Sequence, residues 1–279
     1  MIFVFNIMRI PTYISLCLLV SGALILSSCS DQTPNARFIV NLEDEEFNCY
    51  INELPLSGGR TMTRLKLSTL DTGYCDNAEL TASALVNNGS IEVKIHELSI
   101  GPSDCQLHNI QPSRNLNIDI LANGSYPVSL QMGTNLFYEG FLNINDRYYE
   151  LSIPGAESIT INPAITYKIP EGAVWYRIYY KAGQKELAEN CVNAIDRICT
   201  EAPLSEGYYS KFALKSGAET LLIEDQYPHL FHTDQVVVLN PNQIGFESLL
   251  EIFRTYQDSA GHQFFVTAES WQAEVVELK

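Results

Sequence analysis

The stretch NLNIDILANGSYPVSLQMGTNLFYEGFLNINDRYYELSI, residues 115–153, decides the fold class of the first half of the chain. Along it, apolar and polar residues alternate with the period of two that a half-buried strand has, as in Leu116, Ile118 and Ile120. Because pairs of turn residues separate the alternating runs, the stretch predicts a four-stranded antiparallel meander. The turns fall at Asn123-Gly124, Gly133-Thr134 and Asn145-Asp146.

The residues before this stretch extend the same β pattern. Asn87-Asn88-Gly89 is a strong hairpin signal between two alternating runs. In the second run the apolar phase slips by one residue near His96-Glu97, which is what a β-bulge produces. We therefore predict an antiparallel, all-β sandwich over residues 37–161, with the general look of an Ig-like module.

The pattern changes after residues 162–172, which contain Pro163, Pro170 and Gly172 and are predicted to be a linker. Strands then alternate with two amphipathic helices, predicted over 185–202 and 244–257. Residues 173–279 are therefore predicted to form an α+β sandwich domain, a ferredoxin-like arrangement with extra strands.

The N-terminus has the features of an export signal. Residues 14–26 form an uncharged apolar run too short for a comfortable membrane span. Leu26-Ser27-Ser28-Cys29 ends the run and resembles the lipobox of bacterial lipoprotein precursors. Met8 is an alternative start that gives a tidier signal.

The lipobox resemblance implies a signal peptide over residues 1–28 and a lipidated Cys29. Residues 29–36 would then hold the acylated cysteine and a short tether, and the acyl chains would bind the lipid bilayer. Ser30 in the next position implies the outer membrane, with the body in the periplasm or at the cell surface.

The net charge and the cysteine count limit the kinds of partner and the disulfide bonds that the sequence allows. The net charge of −16 disfavours nucleic acid as a partner. Without Cys17 of the signal and the lipidated Cys29, five of the seven cysteines remain, an odd number in a compartment that permits disulfides. Cys75 and Cys105 both lie in loop-like sequence and are the preferred pair. Cys191 and Cys199 are too far apart for a bond within an intact helix.

No stretch carries a common hydrolase, redox, phosphate-binding or dinucleotide motif. His229, His232 and Asp234 could supply imidazole and carboxylate ligands to a transition metal, although a loop with polar tips is the simpler interpretation. Cys105 and His108 could form a nucleophile–base pair, against which a bridged cysteine is the alternative. One aromatic cluster would bind sugar or peptide if exposed and would be core if buried. It comprises Trp175, Tyr176, Tyr179, Tyr180, Tyr208 and Tyr209.

The leading functional hypothesis is a membrane-anchored envelope lipoprotein that acts as a non-enzymatic binding or adaptor protein. Its partner would be an envelope protein or a glycan, and no cofactor is expected. The second hypothesis is a metal-dependent hydrolase that uses His229, His232 and Asp234. The third is a structural subunit of an envelope assembly.

Overall fold

A computed structural model describes residues 37–101, 109–201, 204–216, 219–223, 227–239 and 244–279, and these residues are mostly β-strand with two α-helices. Short 3₁₀ turns occupy Leu42–Asp44 and Gly261–Gln263. Among these described residues, no helix combines the length and the apolar character needed to cross a membrane. The strands are β1 Phe38–Val40, β2 Phe47–Leu56, β3 Arg60–Thr69, β4 Ala78–Asn87, β5 Ser90–Ile100, β6 Ser113–Asp119, β7 Gly124–Met132, β8 Leu136–Ile144, β9 Tyr148–Ser152, β10 Ile159–Ile161, β11 Ile165–Tyr167, β12 Ala173–Tyr180, β13 Thr200–Glu201, β14 Gly207–Tyr208, β15 Phe212–Lys215, β16 Glu219–Leu222, β17 Phe231–Val238, β18 Phe264–Ser270 and β19 Val275–Leu278, and the helices are α1 Lys185–Asp196 and α2 Phe246–Ala260.

The first half of the chain packs two sheets against each other. A ten-stranded sheet runs in the order β1-β5-β7-β8-β9-β11-β14-β15-β16, with β4 also paired to β5, and a four-stranded sheet runs β10-β2-β3-β6. One apolar core lies between them, because inward residues such as Ile51 of β2 and Ile95 of β5 belong to the same buried cluster. This arrangement confirms the predicted β-sandwich character.

The prediction of a four-stranded meander was wrong in one strand. β7, β8 and β9 pair in sequence as antiparallel neighbours, but β6 pairs with β3 in the opposite sheet. The open side of β7 is taken by β5 in parallel, Ile91 opposite Val128, so no space remains there for β6. The turn at Asn123-Gly124 therefore carries the chain from one sheet to the other.

The predicted hairpin and bulge are both confirmed. Asn88 and Gly89 have positive φ angles of 49° and 79°, as a two-residue hairpin turn of this kind requires, and they join β4 to β5. Along that pair, Thr81 lies opposite Glu97 while Ala82 lies opposite Ile95. His96 is therefore the extra residue of the bulge, and it is exposed, with its Nε2 2.7 Å from the Ser83 hydroxyl.

The last hundred residues build a third sheet of five strands, in the order β13-β17-β12-β18-β19, with every pair antiparallel. Both helices cover one face of it through a buried cluster that includes Cys191 of α1 and Phe253 of α2. Helix α1 ends at Asp196, earlier than predicted, because Thr200 pairs with Val238 as part of β13. Threonine is β-branched and favours this extended backbone.

Residues 162–172, predicted to be a linker, instead contribute β11. Thr166 of β11 lies opposite Tyr149 of β9 on one side and opposite Tyr208 of β14 on the other. The ten-stranded sheet therefore continues from the first half of the chain into β14, β15 and β16 of the second half. Hydrogen bonding holds this segment in place, because the Thr166 hydroxyl also donates to the Ile51 carbonyl at 2.6 Å.

Candidate binding cleft on the five-stranded sheet

The two faces of the five-stranded sheet differ in what covers them. Along β12, Val174, Tyr176 and Ile178 point toward the helices. By the alternation of a strand, Trp175 and Arg177 point to the opposite face. That second face is covered in part by β14, β15 and β16, and Trp175 contacts Phe212 there with ring centroids 5.8 Å apart.

A buried ion pair fastens β16 to this second face. Arg177 and Asp234 lie opposite each other on β12 and β17, with side chains only 1% and 3% exposed. Arg177 donates from Nε and Nη2 to the two carboxylate oxygens, the latter at 2.8 Å. The same pair bonds both peptide groups of Leu222, because Arg177 Nη2 donates to the Leu222 carbonyl at 2.9 Å and Asp234 accepts from the Leu222 amide at 3.0 Å.

The contacts of Arg177 maintain its positive charge. Burial alone would lower the pKa of Arg177, but the hydrogen bonds to Asp234 and Tyr179 outweigh it, so the pKa lies above its usual range. The guanidinium also lies over the Tyr179 ring, 5.7 Å from its centroid. Because the pair bonds both the carbonyl and the amide of Leu222, it fixes the position of β16 over the sheet.

A cleft of about 220 Å³ lies between the end of the β15–β16 hairpin and the five-stranded sheet. Trp175 and Thr267 form part of its floor, and Val275, which is 63% exposed, stands at its mouth. Ion pairs surround it: Lys211 Nζ is 3.0 Å from a Glu269 oxygen, and Lys279 Nζ is 2.8 Å from a Glu277 oxygen. The cleft is lined by Trp175, Ser210, Lys211, Leu222, Ile223, Thr267, Ala268, Glu269, Val275 and Glu277.

The lining of this cleft is half apolar and half polar, which suits a group of modest size that carries both kinds of atom. Its volume lies below the range of about 300–1,000 Å³ typical of small-molecule sites. A small pocket that combines apolar side chains, a tryptophan among them, with a lysine–carboxylate ion pair is instead typical of an anchor pocket in a protein–protein interface. Ile223 and Val275 add exposed apolar area at the mouth, so a partner residue entering the cleft would lose water on several sides.

The predicted metal ligands do not come together. Asp234 is engaged by Arg177, and the exposed His232 lies on the same strand two residues earlier. His229 lies in the preceding turn, also exposed, beside the Tyr227 ring. Across the described ranges, no group of three or more potential ligand residues is placed to hold a metal ion.

The aromatic cluster seen in the sequence is mostly core. Trp175, Tyr176, Tyr179 and Tyr209 are each 3% exposed or less. Burial raises the pKa of Tyr176, whose hydroxyl donates to Gln235 at 2.6 Å. These rings build the sheet that carries the cleft, and only Trp175 also lines it.

The cysteines separate into two groups. Cys75 is disulfide-bonded, while the partner expected for it, Cys105, lies outside the described residues together with His108 and the lipidation candidate Cys29. The pairing of Cys75 with Cys105 therefore stays a prediction. Three free thiols are buried, and burial raises their pKa values, to about 12 for Cys191 and about 11 for Cys199. The third is Cys49, and a thiol held protonated in this way is a poor nucleophile and metal ligand.

Sequence reasoning missed a buried carboxyl group where the sandwich meets the second half. Glu53 of β2 is 3% exposed and accepts hydrogen bonds from the Tyr149 hydroxyl at 2.9 Å and the Ile169 amide at 2.8 Å. Burial raises the pKa of Glu53 to about 7, against the lowering effects of those two bonds and of Lys168. The Glu53 amide also donates to the Ser210 hydroxyl at 2.7 Å, so one residue links three segments.

Three comparisons with known proteins returned no match, whether the chain was set against protein families, curated proteins or solved structures.

Proposed function

We propose that this chain is a lipid-anchored envelope protein that binds a partner protein, with the cleft on the five-stranded sheet as the anchor pocket. The lipobox-like Leu26-Ser27-Ser28-Cys29 supports the anchor, through acylation of Cys29, and Ser30 supports an outer-membrane location. A glycan is the second type of partner that the sequence allowed. The small volume, with apolar side chains beside the Lys211–Glu269 ion pair, favours a single protein side chain over a sugar ring.

One observation carries the binding proposal: the Arg177–Asp234 pair holds a hairpin over the sheet and leaves a pocket beneath it. A pocket with walls from two sheets is preformed, so little conformational entropy is lost when a side chain enters. The exposed Val275 and Ile223 at its mouth extend the apolar contact beyond the pocket itself.

We further infer a finer fold class for the second half. The order β12-α1-β13-β17-α2-β18 along the chain and β13-β17-β12-β18 across the sheet is that of a ferredoxin-like unit. β19 is then an added edge strand, and β14, β15 and β16 are an insertion. We likewise propose an Ig-like class for the sandwich, and the crossing of the chain from one sheet to the other after β6 supports it.

Photo-crosslinking in cells tests the pocket. The full-length chain would carry benzoylphenylalanine in place of Val275 at the mouth of the cleft, or in place of Glu219, an exposed control residue on the β15–β16 hairpin but outside the cleft. We expect a discrete adduct from position 275 alone, and its loss when Thr267→Trp fills the cleft. Equal adducts from both positions, or an adduct that survives Thr267→Trp, would remove the pocket from the proposal.

The anchor is tested separately. Cells given an alkyne-tagged fatty acid should label the wild-type chain and leave a Cys29→Ala variant unlabelled, with the variant released from the membrane fraction. Labelling of the variant would place the acyl group elsewhere or exclude a lipid anchor at this residue.

A further inference from the structure

The described strands pair only part of the outer edge of β17. β13 covers it at one end, where Thr200 lies opposite Val238 and Glu201 opposite Val237. Over the rest of β17, from Phe231 to Gln235, no described strand lies on that side. The opposite side of β17 is fully paired with β12.

The hydrogen-bonding pattern shows which backbone groups face outward. The Leu239 amide donates to the Gly172 carbonyl at 2.9 Å, in register with the pairing of β12 and β17. Because antiparallel partners exchange hydrogen bonds at every second residue, the odd-numbered residues of β17 bond to β12. His232 and Asp234 therefore direct their amide and carbonyl groups away from β12, about 7 Å apart along the strand.

A groove runs beside this open edge. It has a volume of about 470 Å³. Helix α1 forms its other wall through Lys185, Ala188, Glu189, Val192 and Asn193, of which Ala188 is buried. Tyr180 lies in the groove and stacks on Phe231, with ring centroids 6.1 Å apart and planes at 28°. Phe231 is 61% exposed, so apolar surface is available at one end of the groove.

We propose that this edge binds an extended segment of a partner polypeptide, which adds a strand to β17 in line with β13. Outward amide and carbonyl groups at alternate residues match a β-strand backbone, and main-chain pairing of this type is an established mode of peptide recognition. β13 already pairs antiparallel with the same edge, so the edge accepts a strand. The occupant carries apolar side chains where it faces Tyr180, Phe231 and Val192.

This surface is separate from the cleft, which lies on the opposite face of the same sheet. Phe231 and Thr233 share the helix-covered face with Tyr180 and Ile178, whereas the cleft is reached from the face of Trp175. The inference therefore does not depend on the proposed cleft function. Thr267→Trp, which fills the cleft, is expected to leave strand addition unchanged.

The test uses a phage-displayed library of random dodecapeptides panned against the full-length chain in detergent. His232→Pro removes an outward amide and leaves the bonds to β12 in place, because proline is tolerated at a sheet edge. His232→Ala is the matched control, since it removes the ring and keeps the amide. We expect enriched peptides with alternating apolar residues that bind His232→Pro at least tenfold more weakly and His232→Ala within about threefold of wild type.

A second measurement needs no protein variant. N-methylation of the enriched peptide at successive residues should weaken binding to the wild-type chain at every second position and not at those between. Uniform sensitivity to N-methylation, equal binding to the two His232 variants, or no enriched peptide would each overturn the proposal. A wild-type dimer that His232→Pro dissociates would also overturn it, since a second copy would then occupy the edge.

Discussion

Glu53 provides a direct test of the link between the sandwich and the second half of the chain. Its carboxyl group is buried, accepts from Tyr149 and Ile169, and has a pKa raised by burial from 4.5 to about 7. The perturbation is Glu53→Gln, which keeps the shape of the neutral acid. The amide oxygen of Gln can accept from Ile169, and its NH₂ can donate to the Tyr149 oxygen.

The sign of the pH effect follows from the direction of the pKa change. A carboxyl whose pKa is higher in the folded state favours folding while it is protonated. Its contribution is fully present below the unfolded pKa of 4.5 and is lost as the pH rises through about 7. At 1.36 kcal/mol per pKa unit, the whole loss is about 3 kcal/mol, of which about 2.5 kcal/mol falls between pH 5 and pH 8.

Urea unfolding at pH 5 and pH 8, followed by circular dichroism, measures this contribution. The free energy of unfolding of wild type should fall by about 2.5 kcal/mol more than that of Glu53→Gln over the same interval. Glu219→Gln, on an exposed position, is the control and should retain the wild-type slope. If Glu53→Gln keeps the wild-type slope, the buried carboxyl is not the titrating group and the reasoning fails.

Three further outcomes are expected. Gly140→Ala should unfold the sandwich or destabilise it by more than about 1–3 kcal/mol, the range typical of overpacking, because its Cβ would clash with the Ser152 carbonyl oxygen. Gly245→Ala, with open space around it, should melt near wild type. Arg177→Met should lower the free energy of unfolding by about 3–5 kcal/mol in chemical denaturation. The double variant Arg177→Met, Asp234→Leu should lower it by less, because it leaves no unpaired charge in the interior. Equal losses in the two variants would contradict this reasoning. Iodoacetamide should leave the thiols of Cys49, Cys191 and Cys199 unmodified in the native chain and should modify them in urea, as read by peptide mass spectrometry. Modification in the native chain would contradict their burial.

Local patterns in the sequence predicted local structure well. The hairpin at Asn88-Gly89 and the bulge at His96 are both found, because each depends only on turn geometry and on which face of a strand is buried. The core stripe of α1, with Cys191 and Ile195 buried, also followed from periodicity. These features are encoded within a few residues.

What the sequence did not predict depends on partners distant in the chain. β6 reads as part of a meander, yet it joins β3, because β5 competes for the open side of β7. The alternation of apolar and polar residues does not show which of two candidate strands pairs with a given neighbour. The strand content of 162–172 was hidden for the same reason, since β11 pairs with β9 and with the distant β14.

The candidate sites show the same division. His229, His232 and Asp234 are close in sequence, but Asp234 is bound to Arg177, 57 residues earlier. A signal for that pair was present, because an arginine among the bulky residues of a buried strand requires a charged partner. Nothing in the sequence around Glu53 marks it as buried, since its environment is built by Tyr149, Ile169 and Ser210.

The link at Glu53 also bears on the order in which this chain can fold. Its contacts with Ile169 and Ser210 span 116 and 157 residues, and β2 pairs with β10 over a similar distance. Closure of such long loops is slow, and the bond between Glu53 and Ser210 can form only after residue 210 has been synthesised. If the chain is exported as proposed, these late contacts would still be unformed while the first half of the chain crosses the membrane.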